Sequence, residues 1–73
     1  MARHYGNLGN VYYTRGDLDE AQRMHRKALE IDKQLGRREG MASDYGDLGN
    51  VYYTRGDLDE AERMYREALD INE

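Results

Sequence analysis

The sequence predicts an all-α fold in which two antiparallel helical hairpins stack as a short α-solenoid. The main observation is an internal repeat, because a shift of 40 residues aligns 33 pairs of which 24 are identical. The second half of each copy also spaces its apolar residues three and four apart, as an amphipathic helix does. A repeat of this length indicates stacked units that each leave an apolar face for a neighbour to cover.

Turn residues divide each copy into two helices. Gly16 and its counterpart Gly56 can adopt the left-handed conformation that ends a helix. Asp17 and Glu20 have the spacing of a capping box that begins the next helix. Gly36 indicates the break between the copies. We therefore predict helices at about 2–15, 18–35, 38–55 and 58–71, in a first repeat unit at 1–36 and a second at 37–73 that form one continuous domain.

The first helix of each copy contains glycines, which cost a helix up to about 1 kcal/mol each relative to alanine. Gly9 and Gly49 lie at equivalent positions inside these helices. A glycine in a helix often allows another part of the chain to approach closely. We therefore predict close approaches by Ala21 and Ala61 on the following helices.

The second and fourth helices carry an apolar stripe. In the second helix the stripe consists of Leu18, Ala21, Met24 or His25, Ala28, Leu29, Ile31 and Leu35, and the fourth helix repeats most of it. Pairs of opposite charge four residues apart, such as Asp19 with Arg23, favour a solvated outer face. Each of these helices is therefore expected to pack one face against its neighbours.

Several residues recur in both copies with the order and spacing of the tetratricopeptide repeat (TPR) signature. In the first copy they are Tyr5, Leu8, Gly9, Tyr12, Gly16, Ala21 and Ala28, with His25 where an aromatic residue is usual. The chain resembles the TPR family, and the Leu-Gly-Asn sequence in a 40-residue unit looks like the LGN/Pins class. The common unit has 34 residues and ends in proline, whereas this one has none. The resemblance implies a right-handed superhelix whose inner groove holds an extended peptide.

By this resemblance, the groove is lined by residues from the first helix of each copy. The predicted groove residues are Asn7, Asn10 and Tyr13, with Asp47, Asn50 and Tyr53 in the second copy. An asparagine amide can both donate to and accept from a peptide backbone. The alternative is that each asparagine bonds only to its own helix or to water. Gly6 and Gly46 stand where a chaperone-tail clamp needs lysine, so we expect an open groove floor and no such clamp.

A second interpretation is self-assembly. The last helix carries an apolar flank that a further first helix would cover, and the first helix has the matching flank. The predicted self-association residues are Tyr65, Ala68, Leu69, Ile71, Leu8 and Tyr12. We expect a homo-oligomer formed by end-to-end stacking, or by exchange of hairpins if Gly36 straightens. The near identity of the copies also suggests a fragment of a longer array or a designed one.

Composition excludes several other classes of function. The 73 residues contain no cysteine, so disulfides and thiolate metal sites are excluded, and a cytoplasmic location is expected. The net charge of −4 argues against nucleic acid, and no apolar run approaches membrane-spanning length. His4 and His25 lack neighbours that would make a catalytic or metal site. We expect no enzyme activity, no cofactor and no metal, and a protein or peptide as the partner.

Overall fold

The computed structural model describes residues 2–72, with side chains for residues 2–71. Four α-helices follow one another, α1 (Ala2–Arg15), α2 (Leu18–Leu35), α3 (Arg38–Arg55) and α4 (Leu58–Asn72). The predicted all-α fold is confirmed, and the predicted helix bounds differ only at the end of α4. None of these helices combines the length and hydrophobicity needed to cross a lipid bilayer.

The first three helices each end beside a glycine, as the sequence predicts. Gly16, Gly36 and Gly56 adopt left-handed φ angles of 85°, 68° and 91°. The Asp17 carboxylate accepts a hydrogen bond from the Glu20 amide at 3.4 Å, which caps the start of α2. These tight turns reverse the chain between successive helices.

The helices form two hairpins that pack side by side. α1 packs on α2, α3 packs on α4, and α2 packs on α3 to join the hairpins. The molecule is a slab of 30 × 26 × 13 Å. Its most deeply buried large side chains include Leu48 and Val51 on α3, which therefore form the centre of the core.

Rings from the second helix of each hairpin cover the glycines of the first. A Cβ atom built on Gly9 would lie 2.6 Å from Cε1 of His25, and one on Gly49 would lie 2.6 Å from Cε1 of Tyr65. The prediction that Ala21 and Ala61 are the close partners is therefore wrong, because these rings supply the nearest atoms. Glycine is required here because the His25 and Tyr65 rings occupy the space of a side chain.

Candidate partner-binding groove

A groove of about 730 Å³ lies where α1, the end of α2 and the start of α3 meet. It contains three of the six predicted groove residues, namely Asn7 and Asn10 from α1 and Asp47 from α3. Gly6 also lines it, and a Cβ added there would meet nothing within 4 Å. The floor beside Gly6 is therefore open, and polar side chains from both copies face the same space.

The other three predicted groove residues lie further along α1 and α3. The Tyr13 hydroxyl forms a 2.7 Å hydrogen bond with Thr54 Oγ1. The Tyr65 hydroxyl donates to Asn50 Oδ1, so this oxygen already has a partner. Tyr53 is largely exposed. Burial and the nearby tyrosines at 13 and 53 raise the pKa of Tyr65 above its ordinary value.

Two buried carboxyl groups lie at the inner side of the groove. Asp32 near the end of α2 is 4 % exposed, and Asp44 on α3 is 6 % exposed. Burial, a hydrogen bond to Asp32 and the charges of Asp32 and Asp47 raise the pKa of Asp44 to about 8. Asp44 is therefore mainly protonated at neutral pH, which lets two carboxyl groups share this site.

His25 lies beside the third carboxylate of the groove. Its Nδ1 atom is 3.6 Å from Asp47 Oδ2, and the ring is almost fully buried. Burial lowers the pKa of His25, and the Asp47 charge opposes this shift only in part. Burial also raises the pKa of Asp47. The imidazole is therefore neutral at pH 7 and serves as a packed ring over Gly9.

Polar side chains bridge the two hairpins elsewhere on the α2–α3 contact. The Tyr52 hydroxyl accepts from Gln22 Nε2 at 3.2 Å and also from Arg26. Arg55 donates to the Asp19 carboxylate, with Nη1 at 2.7 Å from Oδ1. One copy of the unit is therefore recognised by the next through specific hydrogen bonds as well as apolar packing.

Residues that are buried between the two hairpins have counterparts at the two ends of the molecule, and these counterparts are exposed to solvent. Leu8 is 45 % exposed and its counterpart Leu48 is 1 % exposed, and Val11 is 49 % exposed where Val51 is 0 %. On α4, Leu69 is 64 % exposed. It contributes to a shallow apolar pocket of about 480 Å³, whose other lining residues include Tyr53, Leu58, Ala61 and Tyr65. Of the remaining predicted self-association residues, Tyr12, Ala68 and Ile71 are half-buried.

The chain was compared with known protein families. A family profile described as tetratricopeptide repeat matches residues 1–73, which is the whole chain. The chain belongs to the TPR family. TPR domains are typically non-catalytic modules that bind proteins or peptides. No curated protein sequence matches the chain.

Sequence reasoning missed the carboxyl pair in this TPR groove, although the repeat contains a signal for it. The two copies differ at nine of the 33 aligned pairs. Four of these differences involve the residues around the buried acids: His4 and Asp44, Asn7 and Asp47, His25 and Tyr65, and Asp32 and Asn72. A comparison of the copies would therefore have drawn attention to this place.

Proposed function

We propose that this TPR chain is a non-catalytic binding module that holds an extended segment of a partner protein in the groove between α1 and α3. The observation that carries this proposal is the groove of about 730 Å³ that brings together Asn7, Asn10 and Asp47. Side chains with both donors and acceptors can pair with a peptide backbone whatever its sequence. The resemblance to the LGN/Pins class, whose groove holds an extended peptide, supports the same function.

A bound segment longer than this groove would continue along the same two helices. It would then reach Tyr13, Asn50 and Tyr53, which lie nearer the ends of α1 and α3. The exposed ring of Tyr53 offers an apolar surface there for a side chain of the partner. These three residues form the outer half of the proposed site.

The test of the groove is an alanine double substitution. A library of 12-residue peptides is screened for binding, and the tightest binder is titrated against Asn7→Ala/Asn10→Ala. Two hydrogen bonds of about 1 kcal/mol each predict a roughly tenfold or greater loss of affinity, because each lost bond leaves a backbone group unpaired.

The matched control is Gln34→Ala, which removes an exposed amide on α2 that does not line the groove. We expect this variant to bind the peptide as the unchanged chain does, and both variants to keep their helical circular dichroism. Unchanged affinity in the Asn7/Asn10 variant would remove the groove from the proposed function.

A second candidate function is self-assembly of the chain through its ends. It is favoured by the difference in burial between Leu8 and Leu48, which occupy equivalent positions on α1 and α3. If α1 of one molecule packed on α4 of another as α3 packs on α2, Arg15 would meet Asp59 as Arg55 meets Asp19. The two end surfaces are therefore complementary in charge.

A further inference from the structure

The buried carboxyl groups of the groove form no ion pair with a lysine or arginine among the described residues. Asp44 lines the groove at 6 % exposure, and apart from the neighbouring Asp32 carboxyl its Oδ2 atom has no hydrogen-bond partner. Among residues 2–71, no lysine or arginine forms an ion pair with Asp32, Asp44 or Asp47. A buried carboxyl without a counter-charge is costly, so this place in the groove favours the arrival of a cation.

Other charged groups share the space around these acids. They are Arg3 from α1, His25 from α2, Arg37 from the turn, and Arg38 and Glu39 from α3. The Arg38 guanidinium donates to the Ile71 carbonyl oxygen at 2.8 Å, which directs it toward the end of α4. The His25 ring is neutral because burial lowers its pKa. Arg3 and Arg37 line the same groove, but neither forms an ion pair with Asp32 or Asp44.

Gly40 creates the space in which the Asp32 carboxylate sits. A Cβ atom on Gly40 would lie 2.5 Å from Asp32 Oδ2, a distance that real Cβ atoms do not reach. Gly36 and Gly40 also line the groove at this point, so small residues border the acids. The site thus combines a carboxyl pair with two glycines, of which Gly36 has nothing within 4 Å of the place of a Cβ atom.

We propose that this groove binds a lysine side chain of the partner segment, with its ammonium group between the carboxyl groups of Asp32 and Asp44 and attracted also by Asp47. The inference rests on the proposed function, since the lysine belongs to the segment held in the groove. An ammonium group is a compact charge with three donors on a slender stem, which suits a narrow and partly buried position.

Binding of the ammonium group releases the proton that Asp44 holds in the free protein. Since the pKa of Asp44 is about 8, the affinity for a lysine side chain rises with pH by about tenfold between pH 7 and pH 9. It remains high above pH 9 until the lysine itself loses its proton near its ordinary pKa of about 10.4. A site that simply attracted a cation to ionised surface carboxylates would show no such rise.

The test uses n-butylammonium, which reproduces the end of a lysine side chain, and follows the Asp44 carboxyl carbon by NMR. At tenfold its dissociation constant, n-butylammonium is expected to lower the pKa of Asp44 by about one unit, and sodium chloride at the same ionic strength is expected to leave it unchanged. Asp32→Asn should weaken binding by about tenfold or more, whereas Asp70→Asn, which removes an exposed acid on α4, should have no effect.

Three outcomes would overturn the proposal. The first is no change at Asp44 with n-butylammonium at about 50 mM, a concentration that would detect even weak binding. The second is an equal change with sodium chloride, and the third is a larger change with n-butylguanidinium. n-Butylammonium contains no peptide backbone, so a negative result with it would count against the lysine site alone. The Asn7/Asn10 experiment tests the groove itself.

Discussion

The rings of His25 and Tyr65 occupy equivalent positions and make the same packing contact in the two hairpins. Each lies over a glycine of the preceding helix, at Gly9 and Gly49 respectively. His25 is covered by the next hairpin and is 1 % exposed, whereas Tyr65 lies on the outer surface of α4. The ring that can move aside is therefore Tyr65, while His25 is fixed by the protein around it.

Gly9→Ala tests this packing at a single residue. The added Cβ would lie 2.6 Å from a buried ring that cannot move away, and overpacking of this kind costs about 1–3 kcal/mol. We expect the free energy of unfolding, measured by urea denaturation, to fall by that amount.

Gly46→Ala is the matched control, because it lies in α3 and a Cβ there meets nothing within 4 Å. It should stabilise the protein by up to about 1 kcal/mol through helix propensity alone. Equal stability changes for the two substitutions would contradict the assigned contact between Gly9 and His25.

At the scale of the helices, local sequence signals proved sufficient to place every boundary except the end of α4. The turn glycines and the Asp17 cap act within a few residues of the chain, so spacing alone located them. The Asp32 and Asp44 pair could not be predicted in this way, because the two residues belong to different helices. Their contact depends on how α2 crosses α3, which the periodicity of either helix does not specify.

The predicted groove was found only in part for the same reason. Asn7, Asn10 and Asp47 share a groove because they lie on corresponding faces of α1 and α3. Asn50 occupies the position equivalent to Asn10, yet its oxygen accepts from Tyr65, where the first copy has histidine. The sequence predicts the same role for both asparagines. The difference between histidine and Tyr65 gives Asn50 a hydrogen-bond partner on the following helix.

The turn between α2 and α3 holds the two hairpins in one molecule. Gly36 has a φ angle of 68°, and its N–H bonds to the Lys33 carbonyl oxygen at 3.2 Å. A residue with a Cβ atom is strained by about 1–2 kcal/mol in this left-handed conformation. If α2 and α3 fused into one straight helix, that strain would be absent. Gly36 therefore favours the closed hairpin over exchange between molecules.

Gly36→Ala should accordingly raise the fraction of exchanged dimer. The measurement is light scattering after size-exclusion chromatography, made in the Leu69→Glu background so that end-to-end stacking does not contribute. Gly46→Ala in the same background should stay monomeric. A monomeric Gly36→Ala variant with unchanged stability would show that the turn does not control exchange.

At the scale of the whole molecule, the contact between α2 and α3 explains which apolar residues are buried in the core and which are exposed at the two ends. α3 covers α2 through Leu48, Val51 and Tyr52, and the equivalent Leu8 and Val11 of α1 are exposed at the first end. The apolar pocket on α4 is the corresponding surface at the other end. The central claim is that the contact between the hairpins can be repeated between molecules.

The most direct test is the mass in solution of two variants, each with one end blocked. Val11→Glu places a charge on the α1 end and Leu69→Glu places one on the α4 end, so each variant alone should have the monomer mass of 8.5 kDa. When they are mixed, one intact pair of ends remains, and we expect a complex of twice that mass and no larger. The unchanged chain should form longer assemblies as its concentration rises. A mixture that stays at 8.5 kDa, together with an unchanged chain that stays monomeric at about 1 mM, would contradict the account.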